Sequence, residues 1–150
     1  MFGLFRKKKY MFKCPICEGE YHVKFDPTEL TQYDYEYRRE ASIVTKQKCR
    51  VCKVEMTVVL FKSGSVKAYD DKWQKYEREY DQKTDALGSK IAELEDILEE
   101  NPKDEKARQE LKRFQEQYDR LEESYDKKSE KYEERKTRCF KKREDKYGNH

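Results

Sequence analysis

Two patterns of apolar and polar positions divide the chain near residue 67. Before it, apolar residues come in short, partly alternating runs. Lys53-Val54-Glu55-Met56-Thr57-Val58-Val59-Leu60-Phe61 is rich in β-branched residues and is followed by a turn at Ser63-Gly64-Ser65, which predicts a strand. Tyr33-Asp34-Tyr35-Glu36-Tyr37-Arg38 alternates aromatic with charged residues, the period of a half-buried strand. From Lys67 onward the period lengthens. Trp73, Tyr76, Tyr80, Leu87, Leu94 and Ile97 fall at spacings of three and four, with Lys83 and Lys90 in two seam positions. The spacing resumes at Ala107, Leu111, Phe114, Tyr118, Leu121, Tyr125, Tyr132 and Cys139. Charges fill most of the intervening positions, as in a coiled coil sustained over roughly five heptads.

Asn101-Pro102 interrupts this period. Asn101 reads as an N-cap, Pro102 as the first helical residue, and Asp104-Glu105 as charges complementing the helix dipole. A connection this short makes antiparallel neighbours, so an α-helical hairpin is expected, with helices at about 70–100 and about 102–147. The second helix then overshoots the first by roughly 14 residues, about 20 Å at 1.5 Å per residue. Gly88 is the weak point of the first helix, costing about 1 kcal/mol relative to Ala.

Composition narrows the class. Charged residues make up 45% of the 150 and AVILMFWYC only 35%, which is too little apolar material for one large core. The chain is therefore expected to be elongated, metal-stapled or partly solvated. An aromatic content of 13% argues against simple disorder. The net charge of +3 conceals a segregation: 13 basic and 8 acidic residues in 1–66, 14 and 20 in 67–130, 8 and 4 in 131–150. A hairpin would bring the two basic segments to one end, as a bipolar rod with a basic head, although solubilising faces account for such runs equally well. The longest apolar run, Val58-Val59-Leu60-Phe61, is far short of a transmembrane helix. Met1-Phe2-Gly3-Leu4-Phe5 precedes a basic run instead of following one, unlike a signal peptide. A cytoplasmic location is expected, or a nuclear one in a eukaryote.

The strongest chemical signal is Cys14-Pro15-Ile16-Cys17 followed by Cys49-Arg50-Val51-Cys52. Two Cys-x-x-Cys pairs supply four thiolates, and two such knuckles can close a tetrahedron around Zn²⁺, which accepts an all-thiolate shell without redox chemistry. In a segment with so little core, binding the metal is folding. The predicted fold class is thus a small four-Cys β zinc ribbon over 1–66, with a basic N-terminal tail, followed by a long antiparallel α-helical hairpin over 67–150 with a basic C-terminal overhang. A rubredoxin-like iron site uses the same four cysteines, but rubredoxins normally place Gly directly after each pair, where this chain has Glu18 and Lys53. Structural disulfides need an oxidising compartment. Cys139 reads as a seam residue, with a spare ligand or reactive thiol as the alternative, and His22 as an ordinary strand histidine.

Basic clusters beside aromatics surround the four cysteines: Arg6, Lys7, Lys8 and Lys9 before Tyr10, and Arg38-Arg39 after Tyr37. Such cations contact phosphates through a salt-dependent, sequence-independent term, and tyrosine faces can stack on bases. A solubilising tail and a packed tyrosine face are the plainer alternatives. Weak contact of Met1–Lys9 with an anionic membrane surface is a third.

Cys14-Pro15-Ile16-Cys17, Val23-Lys24-Phe25-Asp26, Cys49-Arg50-Val51-Cys52 and Val66-Lys67-Ala68-Tyr69-Asp70-Asp71-Lys72-Trp73 together resemble the small zinc ribbon of the eukaryotic and archaeal transcription elongation factor homologues, over about residues 7–75. The resemblance implies a structural zinc on the four cysteines, a basic N-terminal tail, and binding to elongating RNA polymerase near DNA. The interval between knuckles is longer here, and the helical half is additional.

There is no Gly-rich phosphate loop, no Ser/His/Asp arrangement and no open metal position, so no enzyme is expected. The expectation is a non-enzymatic module that contacts nucleic acid or a nucleic-acid machine through Arg6, Lys7, Lys8, Lys9, Arg38 and Arg39. The alternative is a coiled-coil adaptor that binds a protein partner and uses the ribbon only as a cap.

Overall fold

The computed structural model describes residues 7–26 and 42–147. The strand expected over Tyr33–Arg38, together with Arg6, Arg38 and Arg39, lies outside the described residues. Among those described there are five strands and two long helices. Strands β1 (Lys8–Lys13) and β2 (Glu20–Phe25) form an antiparallel pair, and β3 (Ser42–Lys48), β4 (Glu55–Phe61) and β5 (Val66–Asp70) a three-stranded antiparallel sheet in that order. Helices α1 (Asp71–Glu100) and α2 (Glu105–Tyr147) follow. The described residues divide into two compact units, one drawn from within 1–72 and 134–150 and the other 73–133.

In the first unit, β4 is the central strand of its sheet, and its sequence shows it. Met56, Val58 and Leu60 alternate onto one face and are almost fully buried, while Val59 is buried on the other. Phe12, Ile16, Val23, Phe25 and Val54 complete the core, and β1 lies against β5. Between β4 and β5 the chain turns at Gly64, whose φ of +89° is one that a side chain disfavours. The helical period read from Lys67 begins at Asp71, because Val66–Asp70 pairs with β4. Asp70 ends that strand and caps the helix, its Oδ1 accepting from Lys72 N–H at 3.1 Å. Asp71 accepts from Thr57 Oγ1 at 2.5 Å and pairs with Lys46 at 3.2 Å.

In the second unit the helices meet through aromatic rings. Trp73 stacks on Tyr132 (4.2 Å between centroids) and Tyr80 on Tyr125 (4.3 Å). Tyr125 Oη and Trp73 Nε1 both donate to Glu77, at 3.1 and 2.8 Å. Further along, Lys90 lies over the Phe114 ring, and Leu94 and Ala107 are buried. As the residue number rises on α1, that of its partner on α2 falls.

The structure departs from the heptad frame on α1 and from the expected cap of α2. On α1 the covered stripe runs through Tyr80, Thr84, Leu87, Ile91, Leu94 and Leu98, whereas Lys83 and Lys90 are exposed and Ile97 is 44% exposed. Asn101 does not cap α2: its N–H closes the last turn of α1 on Ile97 O at 2.8 Å. The cap is Asp104, whose Oδ1 accepts from Ala107 N–H at 3.0 Å and whose carbonyl accepts from Arg108 N–H. On α2 the stripe Ala107, Leu111, Phe114, Tyr118, Leu121, Tyr125, Tyr132 and Cys139 is buried or half-buried as the spacing predicts. Among the described residues no helix is long and apolar enough to cross a membrane.

Candidate metal centre

Each Cys-x-x-Cys pair forms the turn of a β-hairpin, the first between β1 and β2, the second between β3 and β4. The two turns have the same backbone pattern. In the first, Cys14 N–H donates to Gly19 O (2.9 Å) and Glu18 N–H to Cys14 O (3.1 Å); in the second, Cys49 N–H donates to Val54 O (3.0 Å) and Lys53 N–H to Cys49 O (3.1 Å). The residue after each pair is left-handed, Glu18 at φ 61° and Lys53 at φ 64°.

Cys14, Cys17, Cys49 and Cys52 converge, with all four sulfurs within 4.8 Å of one another. Cys14 Sγ lies 3.5 Å from Cys52 Sγ, and Cys17 Sγ 3.6 Å from Cys49 Sγ. A tetrahedron with metal–sulfur bonds of about 2.3 Å has edges of about 3.8 Å, so the four thiols fit a metal ion. Cys14, Cys17 and Cys49 are buried and Cys52 is half-buried. All four are free thiols. His22, exposed on β2, and Cys139, on α2, are not part of the cluster.

Tyr21 completes the surroundings of Cys49. Its Oη donates to Cys49 Sγ at 3.1 Å and accepts from Arg50 N–H at 3.1 Å, while its ring stacks on Phe12, its neighbour across β1 and β2. Burial alone raises the Cys49 thiol. Hydrogen bonds from Tyr21 and from the Cys52 and Val51 backbone more than offset that and hold it at about 6. Burial dominates elsewhere: it pushes Cys14 and Cys17 up and Cys52 up to about 11. Tyr21 itself is pushed up to about 12, by burial and then by its bond to Cys49.

No protein-family model, curated protein or solved structure matches the chain.

The site therefore stands on its own geometry. Two residues from outside the knuckles reach it that the sequence did not point to, Tyr21 and Arg143. Arg143, near the end of α2, donates from Nε to Cys17 O at 2.7 Å. It also lines a cleft of about 270 Å³ with Gly19, Glu20, Tyr21, Arg50 and Val51. No local motif marks either residue; only the Gly after Glu18 hints that something approaches closely there. Of the expected nucleic-acid contacts, Lys7, Lys8 and Lys9 are exposed, the latter two within β1.

Proposed function

We propose that the chain is a non-enzymatic zinc-ribbon module, followed in sequence by an α-helical hairpin, that contacts nucleic acid or a nucleic-acid machine. Four protein thiols complete a tetrahedral shell and leave no position for a substrate or water, which favours a structural Zn²⁺ held by Cys14, Cys17, Cys49 and Cys52. The metal's contribution is rigidity, with the surrounding sheet as the contacting surface.

The observation that carries the nucleic-acid reading is on the outer face of β1 and β2. Lys9 lies directly opposite Lys24, both exposed, and Lys13 and half-exposed Met11 extend the same face. Like charges facing each other across strands are unfavourable, by about 0.2–1 kcal/mol. A phosphate backbone would relieve that repulsion, and Lys7 stands beside it. The resemblance to transcription elongation factor homologues makes a transcribing polymerase one setting for such contact. The test is anisotropy of a labelled oligonucleotide across a salt series. Replacing Lys9 and Lys24 by Ala should lower the log–log salt slope by about two, and absence of binding at low salt overturns direct contact.

The adaptor reading draws on Ile97, an apolar side chain left 44% exposed on α1. A partner recovered equally well after nuclease treatment, and lost in Ile97→Lys, would favour it.

A further inference from the structure

Arg143 is 126 positions from the residue it touches. Its guanidinium is held on three sides: Nε donates to Cys17 O at 2.7 Å, Nη2 to Glu144 at 2.8 Å, and Cζ lies 5.2 Å from the Phe140 ring centroid. The side chain is only 20% exposed, unusual for an arginine near a helix end. Gly19 provides the room. A Cβ there would lie 3.2 Å from Arg143 Cδ and 3.4 Å from Cys17 Sγ.

We propose that Arg143 is a positioning residue of the metal centre, which links metal occupancy to docking of the last turns of α2. The proposal rests on the four-thiolate metal reading above. The coupling follows from geometry: the guanidinium is bonded to the carbonyl of Cys17 and its Cδ is seated beside Gly19, so the conformation of the first knuckle that brings Cys17 Sγ to the other three sulfurs is also the one that seats Arg143. The bond also restrains the Cys17–Glu18 peptide, directly before the left-handed Glu18. By linkage, whatever docking adds to metal retention, the metal adds to docking. Residues 134–147, with Arg135, Lys136, Arg138, Lys141 and Lys142 among them, are then held or released according to the state of the cysteines.

The experiment uses the full-length, metal-loaded chain and a chromophoric chelator. Metal content is measured first, and a chain with no metal overturns the metal reading itself. Arg143→Ala should release metal about five- to tenfold faster than the parent, with faster hydrogen exchange across residues 136–147. Lys142→Ala removes the same charge one position away, from an exposed site, and should leave both rates unchanged. Gly19→Ala offers a second route if Arg143→Ala does not fold: by crowding Arg143 Cδ it should speed release in the parent. In a folded Arg143→Ala background it should have little further effect. Metal-loaded Arg143→Ala that releases metal at the parental rate overturns the coupling and leaves the metal site standing.

Discussion

Glu18 and Lys53 occupy the same place in the two knuckles, each directly after the second cysteine of its pair, at φ 61° and 64°. Both side chains are exposed, so packing does not select them. A left-handed backbone costs a non-glycine residue about 1–2 kcal/mol, which four convergent sulfurs and the hydrogen-bonded turns hold in place. Lys53→Gly should therefore stabilise the metal-loaded protein by up to about 1 kcal/mol and Lys53→Val destabilise it by about 1–2 kcal/mol, read from the direction in which the thermal midpoint moves. A Lys53→Gly variant less stable than the parent contradicts this account of the knuckle.

Tyr21→Phe keeps the ring against Phe12 and removes only the hydroxyl that bridges Cys49 Sγ and Arg50 N–H. Loss of such an outer-shell bond typically costs 10- to 100-fold in metal affinity. Chelator competition measures it directly, and an unchanged affinity shows the bond to be incidental.

Metal uptake should release protons in a definite number. Burial raises the Cys14, Cys17 and Cys52 thiols, so they are protonated at neutral pH, whereas Cys49, at about 6, is already mostly thiolate. Uptake near pH 7 is expected to release about three protons, and apparent affinity to fall steeply as pH falls. Titration calorimetry in buffers of different ionisation enthalpy counts them. Release of one proton or none is incompatible with three raised thiols.

Two neighbouring isoleucine and leucine positions test the α1 register. Leu94 is 7% exposed and Ile97 44%. Leu94→Ala should destabilise the helical unit by about 2–3 kcal/mol and Ile97→Ala by less than about 1 kcal/mol, read from thermal loss of the helical circular dichroism signal. Comparable losses would restore the register that places Ile97 in the seam.

At the start of α2, Asp104→Ala should cost about 1 kcal/mol, because it removes the acceptor for Ala107 N–H. Asn101→Ala should cost clearly less, since Asn101 contributes its backbone to closing α1. The reverse order would return the cap to Asn101.

Much of this was legible in the sequence because it depends on local chemistry. Cys-x-x-Cys spacing, β-branched runs and the α2 period each report on neighbouring residues, and the four cysteines, β4 and the α2 stripe are where that spacing puts them. The α1 register was ambiguous for a physical reason. Leu87 and Leu94 belong to both frames, and Ile97 and Leu98 are adjacent apolar residues, so only packing chooses Thr84, Ile91 and Leu98 over Lys83, Lys90 and Ile97. The cap was ambiguous because Asn101 and Asp104 both carry capping side chains, and the turn between them is decided by which N–H each one meets. Tyr21 reaches Cys49 because cross-strand register sets it on Phe12, and Arg143 reaches Cys17 across 126 positions; no window of sequence contains either relationship.

In the proposed reading, Cys14, Cys17, Cys49 and Cys52 together hold one structural zinc. X-ray absorption at the metal edge of the purified full-length chain, with elemental analysis of the same sample, tests it most directly. The expected result is one zinc per chain with four sulfur neighbours at about 2.3 Å and none of nitrogen or oxygen. Iron in its place, a shell containing oxygen, or a metal-free chain whose cysteines are paired as disulfides would contradict it.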